Sequence, residues 1–185
     1  MRTTARLVLK LCGWRVDHVP PPGPRCIVIV YPHTSNWDFP VGYLASLAMG
    51  LRAHWIGKDT LFRWPVGGML RRMGGIPVDR SEPGGFVEAM AAEFRRRPRL
   101  VLALAPEGTR ARAEHWKSGF YRLALAAGVP VGLASIDWRR RAVDLTTWLM
   151  LTGDEAADLA RVRAAYRGKV GRHPAQASPI RLRGP

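Results

Sequence analysis

Short apolar runs rich in β-branched residues recur along this chain, and each gives way to a polar turn and then to a stretch of helical spacing. That alternation constrains the fold more than any other feature. Residues 26–31 (CIVIVY), 100–105 (LVLALA) and 130–136 (PVGLASI) are too short and too uniformly apolar for surface helices, and they have the character of strands buried on both faces. Residues 53–56, 76–78 and 142–151 are expected as further strands. Helices are expected over 39–50, 62–73, 86–97 and 120–127, and from Asp154, as the cap, to about Tyr166, with Gly168 ending it. No repeat interrupts the order. Strands alternating with helices specify an α/β layer architecture: a mixed, largely buried β-sheet flanked by helices. A chain of 185 residues, 47% hydrophobic, has enough apolar material for one domain, placed at 1–171. Residues 172–185, rich in Pro and Arg, are expected to form a loose tail.

The net charge of +15 points to an anionic partner or to an arginine-rich composition with no partner behind it. Cys12 and Cys26 do not form a disulfide framework, which suits a reducing cytoplasm. The longest uncharged runs, 39–51 and 123–136, have 13 and 14 residues, and a membrane span needs roughly 20. Residues 3–16 place Leu7, Leu11 and Trp14 at helical spacing with Arg6, Lys10 and Arg15 alongside. This pattern fits either an interfacial helix on a membrane or an ordinary helix packed on the core.

Three segments are candidates for the chemistry, the first and third directly after apolar runs and the second at the end of an expected helix. In His33-Thr34-Ser35-Asn36-Trp37-Asp38, a carboxylate five residues from the imidazole can fix one ring nitrogen and leave the other as a base. The same spacing also serves a plain surface or capping pair. Gly74-Gly75-Ile76-Pro77-Val78-Asp79-Arg80 joins a tight turn to a guanidinium suited to phosphate, or is simply a helix stop with a surface pair. In Ala105-Pro106-Glu107-Gly108-Thr109-Arg110, Glu107 can orient a base or accept from a hydroxyl, and Arg110 can hold an anion; the alternative is a polar turn. The five histidines show no paired metal-ligand spacing, so no metal is expected.

The order HTSNWD, GGIPVDR, APEGTR and then GVPV at 128–131 resembles the four blocks of the glycerolipid acyltransferases, including the 1-acylglycerol-3-phosphate acyltransferases. The resemblance spans about residues 26–137, with Trp116-Lys117-Ser118-Gly119-Phe120 similar to the link between the last two blocks. Pro32 and Ala105 depart from the residues common at those positions. The resemblance implies a glycerol-3-phosphate acyltransferase-like fold, with His33 and Asp38 as the catalytic pair. It implies Lys58, Gly75, Arg80, Glu107, Gly108, Thr109 and Arg110 on the side of a phosphorylated acceptor. The implied reaction carries a fatty acyl group from acyl-CoA or acyl carrier protein, as substrate, to a lysophospholipid hydroxyl, with no bound cofactor. The expected setting is cytoplasmic, on the anionic inner face of the cell membrane. Another lipid or alcohol acceptor is the alternative within this class. A basic nucleic-acid-binding domain is the alternative outside it, but no nucleic-acid motif is present and no nucleic acid is expected.

Overall fold

The computed structural model describes residues 1–78 and 85–183. The chain runs α1 (Arg2–Leu11), β1 (Arg15–His18), β2 (Arg25–Val30), α2 (Asp38–Met49), β3 (Ala53–Lys58), α3 (Gly67–Arg72), β4 (Gly75–Val78), α4 (Gly85–Arg96), β5 (Leu100–Leu104), α5 (Gly119–Ala127), β6 (Val131–Asp137), β7 (Ala142–Leu149) and α6 (Glu155–Ala165). Short 3-10 turns lie at Asp59–Phe62 and Pro174–Gln176.

The strands form one sheet of seven in the order β1-β7-β6-β2-β5-β3-β4. β6, β2, β5, β3 and β4 run parallel, while β7 is antiparallel to β6 and carries β1 parallel to itself. The period of two in strand side chains sorts the apolar residues onto two faces. Ile27 and Ile29 of β2 join Phe94, Leu102, Phe120 and Val162 on one side, beneath α4, α5 and α6. Val28 joins Leu9, Val41, Ala45, Ala48 and Ile136 on the other, beneath α1 and α2. With helices on both faces, the central strands are apolar throughout, which is why they stand out in the sequence. Asp154 caps α6 by accepting from the Ala157 N–H at 3.0 Å, as expected.

Four segments differ from expectation. β1, a short edge strand with only Val16 and His18 half-buried, carries no apolar run to announce it. The segment expected to be helical over 62–73 contains only α3, preceded by the 3-10 turn. Residues 172–183 are not a loose tail. Ser178 and Leu182 are buried, and Arg181 O accepts from the Trp116 N–H at 2.7 Å. α1 also faces differently from its stripe of large residues. It ends at Leu11, before Gly13 at φ 75°, and packs on α2 through Ala5 and Leu9. Trp14 is buried against Trp138, while Leu7 and Leu11 are exposed. Among the described residues no helix is long and apolar enough to cross a membrane.

Because β2, β5, β3 and β6 are parallel, the turns that leave them emerge at one edge of the sheet. The turn after β2 carries His33 and the turn after β5 carries Glu107. The carboxyl edge of an open parallel sheet is where ligands bind in this architecture.

Candidate active site

The loop after β2 folds back on the first residue of α2. Asp38 is buried, and its Oδ2 accepts from the backbone N–H groups of Thr34 and Ser35 at 2.8 and 2.9 Å. Its Oδ1 accepts from the Trp138 indole N–H at 2.7 Å. His33 Nδ1 lies 3.3 Å from Oδ2. With its proton on Nδ1 directed at the carboxylate, the imidazole presents Nε2 as the basic nitrogen. The His33 side chain is 19% exposed, so solvent or substrate can reach it. Burial alone would raise the Asp38 carboxyl. The hydrogen bonds from His33, Trp138 and the Ser35 backbone outweigh it and hold the group below its ordinary value.

Glu107 holds the histidine from behind. β5 pairs with β2 in a register that sets Leu104 beside Ile29, so the two turns leave the sheet together. Glu107 is 1% exposed; its Oε2 accepts from the His33 backbone N–H at 2.8 Å and its Oε1 from the Ser178 N–H at 2.8 Å. Burial pushes its carboxyl up, against the pull of these two donors. Both oxygens are therefore engaged with backbone. The sequence allowed either a ligand for the acceptor or a brace for the base, and the geometry is that of the brace.

The C-terminal segment completes this clasp. The His173 N–H donates to Thr34 Oγ1 at 3.1 Å. The Gln176 amide nitrogen, in the orientation that satisfies it, donates to the carbonyls of Thr34 and Arg110, each at 3.0 Å. A side chain at Gly171 would stand 2.6 Å from Thr34 Oγ1, so glycine lets the two segments touch. The Arg172 guanidinium lies 4.7 Å over the ring of Trp138, the residue that donates to Asp38.

The remaining expected residues are dispersed. Gly108 turns the third block at φ 68°, with Lys117 packed beside it. Thr109 and Arg110 are exposed beyond that turn, and Thr109 Oγ1 accepts from the Ala111 N–H at 3.2 Å. Lys58 is exposed at the carboxyl end of β3, on the same edge as His33. Gly75 opens β4 and does not face that edge; a Cβ there would come within 2.5 Å of the Phe62 ring. Arg80 lies outside the described residues. The structure thus brings together His33, Asp38 and Glu107 and adds Trp138 and Ser178. Trp138 follows the end of β6, the strand beside β2, so a correct strand order would have pointed to it. Nothing in the sequence near Ser178 signals its role.

A histidine held between two buried carboxylates at the carboxyl edge of a largely parallel sheet is an arrangement suited to general-base chemistry in an α/β fold. The profile of one family, described as Acyltransferase, matches residues 17–134, and the chain belongs to that family. Among solved structures, it resembles the crystal structure of the 1-acyl-sn-glycerophosphate (LPA) acyltransferase PlsC from Thermotoga maritima. The match has a TM-score of 0.57 at 17% identity and covers 89% of this chain and 74% of that one. At this identity the likeness shows a shared fold. A search of curated proteins finds no significant match.

Proposed function

We propose that this acyltransferase moves a fatty acyl group from an acyl thioester, acyl-CoA or acyl carrier protein, to the free hydroxyl of a lysophospholipid such as 1-acylglycerol-3-phosphate, as a step of phospholipid synthesis. The observation that carries the reading is the His33–Asp38 pair, 3.3 Å apart, with Nε2 left for a substrate. The acceptor hydroxyl gives its proton to His33 Nε2 as its oxygen attacks the thioester carbonyl. The tetrahedral intermediate collapses, the C–S bond breaks, and the sulfur leaves with the proton that Nε2 returns. Asp38, ionised and acceptor-only, stabilises the imidazolium between these two transfers. Glu107 keeps the loop from drifting by holding the His33 backbone. Arg110 and Lys58, exposed near the same edge, and Arg80 supply the cations for the acceptor phosphate. The enzyme works peripherally on the inner face of the cell membrane, where its +15 charge favours anionic lipid and the exposed Leu7 and Leu11 of α1 can touch the interface.

The test is release of free thiol from acyl-CoA and from acyl carrier protein, with 1-acylglycerol-3-phosphate, 1-acylglycerol and a water-soluble alcohol as acceptors. The reading predicts release that depends on the lysolipid and is strongest with the phosphorylated one. Equal release with all three, or release only with the soluble alcohol, would remove the lysophospholipid from the account.

A further inference from the structure

The chain between β3 and β4 has an unusual division between its one anchor and its surface. Lys58 ends β3 at the edge where His33 opens, and the chain then makes the 3-10 turn and α3. Phe62 is the anchor. It is buried, it stacks on Trp55 with centroids 5.6 Å apart, and Trp55 meets Phe39, the neighbour of Asp38, edge-on at 4.7 Å. Three glycines form the socket. A Cβ would come within 2.9 Å of the Phe62 ring from Gly57, 2.5 Å from Gly75, and 1.9 Å of the Phe62 carbonyl oxygen from Gly67. No side chain fits at these positions without moving the anchor.

Around that anchor Leu70 and Met73 are half-buried, and four other large apolar residues face outward. Leu61 is 51% exposed, Trp64 93%, Val66 47% and Met69 57%. Lys58, Arg63, Arg71 and Arg72 are also exposed, against one acid in residues 58–72, Asp59. An indole that touches almost nothing of its own protein would need a dedicated pocket in a protein partner. A bilayer interface accepts a lone Trp and scattered aliphatic tips without one, and its anionic head groups match the surrounding cations. We propose that residues 61–69 form a membrane-docking prong, which inserts shallowly into an anionic bilayer and sets the carboxyl edge of the sheet against the lipid. This deepens the lysolipid reading and rests on it, since the chain enters the prong from Lys58, at the edge of the sheet where the proposed base opens.

The experiment compares the full chain with the variant Leu61→Ser, Trp64→Ser, Val66→Ser, Met69→Ser on vesicles of phosphatidylcholine with and without phosphatidylglycerol. The wild type should sediment with the anionic vesicles and less so as salt is added. The variant should lose roughly tenfold or more in partitioning while keeping the wild-type melting temperature. Brominated lipid should quench the fraction of fluorescence that Trp64→Phe removes. Equal partitioning of the two proteins, or no vesicle binding by the wild type, overturns the prong. So does a wild-type dimer that the variant turns into a monomer, or a variant that loses affinity for acyl carrier protein and not for vesicles. Thiol release with a lysolipid kept below its micelle concentration separates the two claims. The variant should retain release there; absence of release from wild type and variant alike would count against the lysolipid reaction, whatever the vesicle result.

Discussion

The two sides of the site edge are built in opposite ways. On the β2 side, the carboxylate of Asp38 meets Thr34 N, Ser35 N, Trp138 Nε1 and His33 Nδ1, and that of Glu107 meets His33 N and Ser178 N. On the β3 side, one ring in a glycine socket holds the segment, and its neighbours Leu61, Trp64 and Val66 face solvent. On the function proposed above, the difference follows from what each side would handle. A proton transfer requires a base fixed to a fraction of an ångström, and buried, fully satisfied polar networks provide that rigidity. A lipid surface is fluid and has no fixed shape to match, so exposed apolar tips suffice.

Substitutions on the two sides should therefore behave differently. Asp38→Asn should have the largest effect, lowering kcat on the order of 10³-fold with little change in KM. It removes the charge that supports the imidazolium, and one end of its amide must turn a donor toward donors. Glu107→Gln should follow, at about 10²-fold in kcat with a fall in stability of about 1–3 kcal/mol, because a carboxamide can accept from only one of the two N–H groups. Burial raises the Glu107 carboxyl, so removing its charge relieves a cost. A loss of activity then reports the lost grip on His33. Unchanged kcat in Glu107→Gln would break the comparison, since it would make the clasp dispensable.

Trp138→Phe should cost roughly tenfold in kcat by freeing one Asp38 oxygen, and it adds a pH signature. The folded-state value of Asp38 is depressed, so its contribution to stability is complete above the unfolded value and is lost as pH falls through the folded one. Without the indole donor the folded value rises, and acid unfolding should begin at a higher pH than in the wild type. An acid-unfolding curve unmoved by Trp138→Phe would mean that the hydrogen bond does not hold the carboxylate. Phe62→Leu on the other side should have the smallest catalytic effect. Turnover of a monomeric lysolipid should stay within about threefold, with stability lowered by about 1 kcal/mol as measured by denaturant titration.

What was legible in the sequence follows the same division. The central strands announced themselves because helices cover both their faces, and His33 and Asp38 stood within one turn in a block of recognisable order. Trp138 and Ser178 did not, because they reach Asp38 and Glu107 from 100 and 71 residues away. A Pro- and Arg-rich segment gives no local sign that Ser178 is buried or that Gly171 admits Thr34. For α1, the stripe of large residues pointed to Leu7, Leu11 and Trp14 as one face. The packed face is instead Ala5 and Leu9, because Ala45 and Ala48 of α2 allow close approach and small residues leave little trace in hydrophobic spacing. Gly75 lies in the block that the resemblance assigns to the acceptor, but a Cβ at that position would meet the Phe62 ring.

The central claim is that His33 is the base in acyl transfer. It is tested most directly by thiol release from an acyl thioester with 1-acylglycerol-3-phosphate, comparing the wild type with His33→Ala under saturating substrates. Asp38 keeps its Thr34, Ser35 and Trp138 donors and Glu107 keeps the His33 N–H when the ring is removed, so His33→Ala should stay folded with only a small fall in melting temperature. The loss of a positioned base predicts a fall in turnover on the order of 10²–10⁴-fold. Turnover near that of the wild type in a correctly folded His33→Ala protein would contradict the account.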